Sequence, residues 1–493
     1  MRPSFLTSAH ADNSLLPRLV RFIVLAGFMA LLISYPEYSI LLMSQAIQWA
    51  LDTFGLALLC LSSGIIIVCS AIAVSPLGRI KLGGEGAQPE FGLFSWLAML
   101  FAAGMGSGLI FWGVAEPISH FANPPAFVAD SQDLKDTALA LTYFHWGLHA
   151  WAIYALAGLA VAWFGFNRGR ELRISASFSG KPRPGAWVIL DWLAIIAILF
   201  GVAGTFANTI ALVQTGVEQS TSITFEDSAF RYGLLVLIGL LFMASSLTGL
   251  NRGIKYVSQF NLILMITLAL VVLMLSGSLN SLWIALTSSV EYLKLLPQVS
   301  FSIAPESKQW SIGWTVIYLV WWVAWAPFVG PFIARISKGR TVRQFLACAI
   351  VVPTVASILW FSIFGGNALI GGATAAISDA VSQDYTQGLF LFFDGFPLTQ
   401  VLSFAAIILL ITFVITSADS AVLVCGLLEG ENHLLNKLLW GLLLLALSMA
   451  LVGINDVDLN KQIAIAGALP FTLVLVGQLI MMLKDMVTQV NSR

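Results

Sequence analysis

Charge is what this chain lacks most. Of its 493 residues only 10% are Asp, Glu, Lys or Arg, against about 25% in a soluble globular protein. That shortage excludes an ordinary soluble domain. The signs nearly cancel, 24 basic against 25 acidic for a net charge of −1, so no bulk basic character points to nucleic acid. Cysteine is scarce too. Cys60, Cys69, Cys348 and Cys425 form no CxxC pair, and all fall in apolar stretches. They read as small core hydrophobes rather than a disulfide or metal framework. Catalytic signatures are missing: there is no HExxH, no GxSxG and no cysteine–histidine cluster near the aromatics. An enzyme is therefore not expected. No stretch between apolar runs is long enough for the soluble output domain of a sensor.

What is present is apolar, 58% of the chain. At about 20 residues per span the hydrophobic stretches make twelve candidate helices, at 19–34, 54–75, 91–114, 138–164, 186–213, 232–250, 255–276, 311–333, 344–366, 398–425, 435–453 and 462–483. Arg18 and Arg21 precede the first as in a signal peptide. SYPEYS follows it with no small-residue cleavage site, so it reads as a retained helix. With the N-terminus in the cytoplasm, twelve crossings leave only Lys135, Arg231, Lys294, Lys308 and Lys461 outside, five of 24 Lys and Arg. The inner loops hold Arg79, Lys81, Arg168, Arg170, Arg173, Lys181, Arg183, Arg335, Lys338, Arg340 and Arg343. The outer loops are acidic. This asymmetry follows the positive-inside rule and places both termini in the cytoplasm.

Two spans look interrupted, five apart. The third contains AAGMGSGLIFWGVAEP, with Gly104, Gly106, Gly108 and Gly113, and ends at Glu116–Pro117. The eighth contains WAPFVGP, with a break expected near Pro327 and Gly330. Glycine weakens a helix and proline removes a backbone donor. Unwound backbone at membrane depth persists only where it lines a protein cavity. Interruptions at matching positions of two repeats point to a transporter binding site. Spans three to seven and eight to twelve would then form two five-helix repeats. Close small-residue packing is the other reading of Gly104 and Gly108.

The eighth span also carries Trp321, Trp322 and Trp325. At about 100° per residue, Trp322 and Trp325 lie roughly 100° and 40° around from Trp321, so the three indoles share a face. Such a cluster can cage an organic cation, because an indole face attracts positive charge. On this segment alone an interfacial belt or plain packing accounts for it equally well. In the fourth span, FHWGLHAWAIY, Trp146, Tyr154 and Trp151 fall at about 0°, 80° and 140° and can line one wall of a pocket. His145 and His149 are four apart, a spacing that can hold zinc. No third ligand is evident nearby in sequence, and polar helix packing is the expected role.

The GMGSGLIFWGVAEP, HWGLHAWAIY and WWVAWAPFVGPFIARISKGRTVRQF stretches together resemble the betaine/choline/carnitine transporter family, from about Leu82 to Ser420. The resemblance implies an all-α polytopic membrane protein of twelve transmembrane helices, with a LeuT-like fold of two inverted five-helix repeats. The divisions would be a tail at 1–18, two peripheral helices at 19–90, a first repeat at 91–276, an amphipathic linker helix at 277–310, a second repeat at 311–483 and a tail at 484–493. It also implies homotrimers in the bacterial inner membrane and a small quaternary ammonium or sulfonium substrate. By position, the family's aromatic box falls on Trp146, Trp151, Tyr154 and Trp322. Trp321 and Trp325 match aromatics of the same pathway. The backbone of Gly104, Gly106 and Gly108 would serve the substrate's polar end or the coupling ion. Residues 279–297 would form the amphipathic surface helix that contributes trimer contacts.

Coupling turns on the tenth span, ITFVITSADS. Thr416 and Ser417 flank Phe413 by about 60° and 40°. On the residues alone, both hydroxyls back-bonding to their own helix is the stronger reading. The resemblance reverses it: sodium-coupled members bind sodium between hydroxyls at these positions and carbonyls matching Ala102, Met105 and Phe413. A second sodium site in some members would fall on Thr205, Thr209 and Phe328, but GVAGTFANTIAL departs from the usual fifth-span sequence there. Proton-coupled members tend to carry an aspartate where Gly108 stands, and exchangers place a basic side chain near the sodium site. Both features are missing here, so sodium symport is expected, with no other cofactor. Proton coupling, exchange, or a channel or sensor are the alternatives. Asp191 is expected to complement its helix dipole, and Asp419 to adjoin the ion site. Leu319, Ala324, Ala326 and Ser107 also depart from the usual family residues. Only Lys484 and Arg493 are basic after the last span, so osmotic control through a long basic tail is not expected.

Overall fold

The computed structural model describes residues 23, 27, 34, 36–131, 133–179, 185–221, 223–225, 228–430, 433–454, 465 and 468–491. The expected tail at 1–18, nearly all of the expected span at 19–34, and Lys181, Arg183, Glu226, Asp227, Lys461 and Arg493 lie outside them. Among the described residues the chain is helical apart from loops and one isolated bridge, Lys81 to Thr341.

Sixteen helices frame the site. They are α1 (Pro36–Val74), α2 (Leu93–Met105), α3 (Gly108–Ala122), α4 (Leu134–Trp146), α5 (Leu148–Ala162), α6 (Gly185–Thr221), α7 (Ala229–Thr248) and α8 (Lys255–Leu275). Then come α9 (Ser278–Phe301), α10 (Ile317–Ile336), α11 (Val342–Ile370, with two π-turns), α12 (Thr374–Gln383), α13 (Gly388–Asp394), α14 (Thr399–Glu429), α15 (Leu434–Ile454) and α16 (Ala468–Asn491). Among the described residues ten helical stretches are long and apolar enough to cross a membrane, and the bent pair α2–α3 makes an eleventh. Each matches one expected span from the second onward. The chain is an all-α polytopic membrane protein.

The third span breaks as its glycines predict. Gly106 sits at φ +51°, ψ −152°, a conformation that a β-carbon disfavours. The chain turns by 56° between α2 and α3. Pro117 does not end α3, which runs on to Ala122. The eighth span corrects the sequence reading: α10 is continuous through Pro327 and Pro331. Packed neighbours hold a proline-containing helix together in a membrane. Gly330 serves contact instead. A β-carbon there would lie 2.7 Å from Ala157 Cβ and 3.2 Å from the Gly158 nitrogen, the small-residue fit of paired membrane helices. The second interruption falls in the fourth span, at Gly147 between α4 and α5. It separates His145 from His149, which therefore do not share one face of a single helix. His149 Nε2 turns to Ser63 Oγ at 3.1 Å and Ser300 Oγ at 3.3 Å.

Loop contacts sort the ends of the bundle. At one end the Leu82 nitrogen donates to the Arg340 carbonyl at 2.9 Å and the Val342 nitrogen to the Ile80 carbonyl at 2.9 Å. Asn167 Nδ2 donates to the Lys81 carbonyl at 2.9 Å, and Arg335 pairs with Glu90 at 2.7 Å. The basic loops after the second, fourth and eighth spans therefore meet. At the other end Trp310 Nε1 donates to the Asn123 carbonyl at 3.0 Å. Thr287 and Ser288 donate to Asp136 there, at 3.0 and 2.5 Å. The surface helix α9 packs on α4 and presents Leu282, Trp283, Leu286, Val290 and Leu293 outward.

Asp191 departs from expectation. It does not complement the start of its own helix: its carboxylate accepts the Ser175 nitrogen at 3.0 Å and Ser175 Oγ at 2.6 Å, anchoring the loop before α6.

Candidate substrate and ion site

The break between α2 and α3 faces a void between helices, about 520 Å³ with its mouth included. Its wall is Gly104, Met105, Gly106, Ser107, Gly108, Phe111 and Trp112 from the break, Trp146 from α4, Thr205, Asn208 and Thr209 from α6, and Tyr318, Trp321, Trp322 and Trp325 from α10. The three α10 indoles thus share a face, and that face is the cavity wall.

Two glycines seat rings. A β-carbon on Gly104 would lie 2.5 Å from Trp151 Cη2, and one on Gly108 3.0 Å from Trp146 Cη2. Close packing and helix interruption, alternatives in the sequence, are both true of this segment. The aromatic side chains form a connected set. Trp146 and Trp322 meet at 5.0 Å between ring centres and 74°, and Tyr154 meets Trp322 at 5.8 Å and 88°. These edge-to-face contacts are favourable for aromatic quadrupoles. Trp151 stacks on Phe101 at 6.3 Å and meets Tyr154 at 5.7 Å. Trp151 and Tyr154 therefore stand behind the wall rather than in it.

Hydrogen bonds orient the front rings. Trp322 Nε1 donates to the His145 carbonyl at 2.7 Å. Trp146 Nε1 and Tyr318 Oη donate to Glu116 Oε2, at 2.7 and 2.5 Å. The faces of Trp146 and Trp322 are fixed before any ligand arrives.

The broken helix ends are the polar part. The last four carbonyls of α2, Ala102 to Met105, have no partner within their own helix and carry its negative dipole end. The first amides of α3 carry a positive one. Met105 lines the void, and Ala102 is buried one turn back. A β-carbon on Gly106 would lie 3.4 Å from Ser417 Oγ, so α14 abuts the break. Ser417 Oγ is buried and has no hydrogen-bond partner. Thr416 Oγ1 donates to the Phe413 carbonyl at 2.8 Å and accepts from Asn261 Nδ2 at 3.3 Å. Asn261 Oδ1 is buried without a partner. Thr416 thus back-bonds while Ser417 does not. Asp419 is tied to Ser245 of α7 at 2.5 Å.

Thr205 and Thr209 share the cavity face, which fixes their register. Thr209 Oγ1 lies 2.5 Å from Ser107 Oγ. Phe328 is fully buried against Trp325, at 5.6 Å between rings, and is not part of the wall. Sequence pattern does not mark several wall residues: Phe111, Trp112, Asn208 and Tyr318. Tyr318 was within reach, since it lies three residues before Trp321 on the same helical face. Asn261 gave no signal beyond being polar in an apolar helix.

A helix bundle with an aromatic cavity at a broken membrane helix fits a membrane transporter. Residues 18–491 match the model of the BCCT, betaine/carnitine/choline family transporter. The glycine betaine transporter OpuD of Bacillus subtilis is 39% identical over 88% of this chain and 86% of its own. Glycine betaine transporter 1 of Vibrio parahaemolyticus is 35% identical, covering 86% and 84%. The betaine/ectoine transporter LcoP of Corynebacterium glutamicum is 35% identical, covering 94% and 76%. The chain belongs to the betaine/carnitine/choline transporter family.

Proposed function

We propose that this chain is a sodium-coupled symporter of a small quaternary ammonium zwitterion, with glycine betaine the first choice. The observation that carries the proposal is the cavity itself, where indole side chains meet the two ends of a broken helix. A desolvated cation–π contact contributes up to about 2 kcal/mol, so several rings together offset the lost hydration of a permanent cation. The substrate carboxylate would take the amide end of α3, as half-helix N-termini do in transporters. The carbonyl end of α2, with Ser417, Thr416 and Asn261 beside it, offers oxygen ligands for sodium. The named betaine relatives support the substrate class. Thr205 and Thr209 remain the candidates for a second ion, without Phe328.

Intrinsic tryptophan fluorescence tests the substrate class directly. Glycine betaine should perturb it saturably in sodium buffer. The isostere 3,3-dimethylbutanoate, which keeps the carboxylate and has an uncharged tert-butyl group in place of trimethylammonium, should bind at least about tenfold more weakly, because it lacks the cation–π term. Equal binding of the two would remove the cation from the account.

The same reading extends to the assembly and its setting. The expected twelve spans with a LeuT-like pair of inverted repeats, the homotrimer joined partly through the exposed apolar face of α9, and the inner membrane with cytoplasmic termini all belong to it. Orientation has its own check. Asp130 and Lys338 are both exposed, at opposite ends of the bundle. A membrane-impermeant thiol reagent applied to a variant lacking the native cysteines should label Asp130→Cys in intact cells, and Lys338→Cys only after lysis. The reverse pattern would invert the topology.

A further inference from the structure

Behind the cage lies a buried cluster of which the transport reading uses only the Glu116 oxygen that orients Trp146 and Tyr318. Glu116 and His120 project from successive turns of α3, and His145 from α4. All three are at most 1% exposed. His145 Nδ1 lies 2.7 Å from Glu116 Oε1, His120 Nε2 lies 3.3 Å from the same oxygen, and the two ring nitrogens are 3.4 Å apart. One oxygen and two imidazole nitrogens thus converge on a common point. Ligands about 2.0–2.1 Å from a tetrahedral zinc stand about 3.3 Å from one another, so two of these three edges already have that length.

The surroundings fit as well. Metal-bound histidines and carboxylates are held by outer partners that fix their orientation. Here Glu116 Oε2 is occupied by Trp146 Nε1 and Tyr318 Oη, which leaves Oε1 to face the imidazoles. His145 Nε2 is held by Thr315 Oγ1 at 3.1 Å, which leaves Nδ1 turned inward. We propose that Glu116, His120 and His145 form a binding site for a divalent transition ion of the zinc class, which staples the broken third span to the aromatic cage.

Two consequences follow from the connections. His145 holds Trp322 through its carbonyl, and Glu116 holds Trp146 through its carboxylate. An ion shared by α3 and α4 fixes both indoles and opposes any relative movement of the helices that carry them. A dication on one carboxylate also leaves net positive charge beside a site meant for a cationic group, which repels it. The ion is therefore an inhibitor of transport. His120 lies two residues from the end of α3, at the loop end opposite the basic cluster.

The test uses the purified full-length chain, carrying a histidine-free affinity tag and stripped with chelator. Cobalt(II) is the first probe, because a tetrahedral nitrogen–oxygen site gives it intense visible absorption. The expected result is one cobalt per chain, displaced by one zinc. His120→Gln and His145→Gln should each weaken zinc at least about tenfold, and His433→Gln should leave it unchanged. A plain hydrogen-bonded knot would show no stoichiometric cobalt spectrum, and that result overturns the proposal. Zinc binding unchanged in both cluster variants would overturn it equally. Inhibition of uptake by zinc, reversed by chelator and lost in His120→Gln, is read separately. The binding arm does not depend on the transport reading, so failure of one is distinguishable from failure of the other.

Discussion

Replacing Trp322 by leucine is expected to raise the apparent KM for a quaternary ammonium substrate about tenfold or more, equivalent to about 1.4 kcal/mol. Trp322 is 6% exposed and lines the void. Its ring touches Trp146, Tyr154 and Tyr318, at 5.0, 5.8 and 6.2 Å between centres. Leucine keeps the site apolar but removes the π face. It also leaves the His145 carbonyl without the indole N–H that it accepts. Trp322→Phe separates the two losses in part, because it keeps a smaller aromatic face while removing the donor. Its KM should fall between those of wild type and Trp322→Leu. Measured uptake kinetics at matched protein levels decide the matter, and unchanged KM in Trp322→Leu would remove this ring from the site.

The second large effect is expected at the tenth span. Thr416→Ala with Ser417→Ala should weaken sodium activation about tenfold or more. Substrate affinity should fall only through the lost ion, because binding linkage is reciprocal. The two hydroxyls separate in stability. Thr416 donates to Phe413 and accepts from Asn261, and losing such bonds costs about 0.5–1.5 kcal/mol each. Ser417 Oγ is buried with no partner, a state that costs about 1–3 kcal/mol. Ser417→Ala should therefore leave the melting temperature in sodium-free buffer equal or higher, while sodium activation falls. An ion ligand behaves this way, and a purely structural hydroxyl does not. A lower melting temperature with normal sodium activation would count against the assignment.

The legibility of the chain follows from its physics. Apolar length and Lys/Arg placement are summed over many residues, so every span from 54–75 onward has a helical counterpart. The Gly104–Gly108 interruption was readable because Gly106 needs a backbone conformation that other residues avoid. The eighth span misled because proline and glycine mark a break only when packing does not hold the helix together. Gly330, seated on Ala157, marks a helix contact instead. Gly147 interrupts the fourth span without a neighbouring proline or a second glycine to announce it. The shared face of Trp321, Trp322 and Trp325 came from helical periodicity alone. Most partners of Glu116 did not: His120 lies one helical turn away, but His145, Trp146 and Tyr318 lie 29, 30 and 202 positions away in sequence. Ser417 against Gly106 and Asn261 beside Thr416 are likewise contacts between helices, which no local pattern encodes.

One measurement bears most directly on the central claim. Purified protein in liposomes should accumulate labelled glycine betaine above its external concentration when a sodium gradient points inward, and only then. Potassium in place of sodium should abolish accumulation, and collapsing the sodium gradient with an ionophore should release the accumulated label. Equal accumulation in sodium and potassium would contradict sodium coupling and favour a proton or exchange mechanism. Entry that stops at the external concentration under every gradient would contradict active transport altogether.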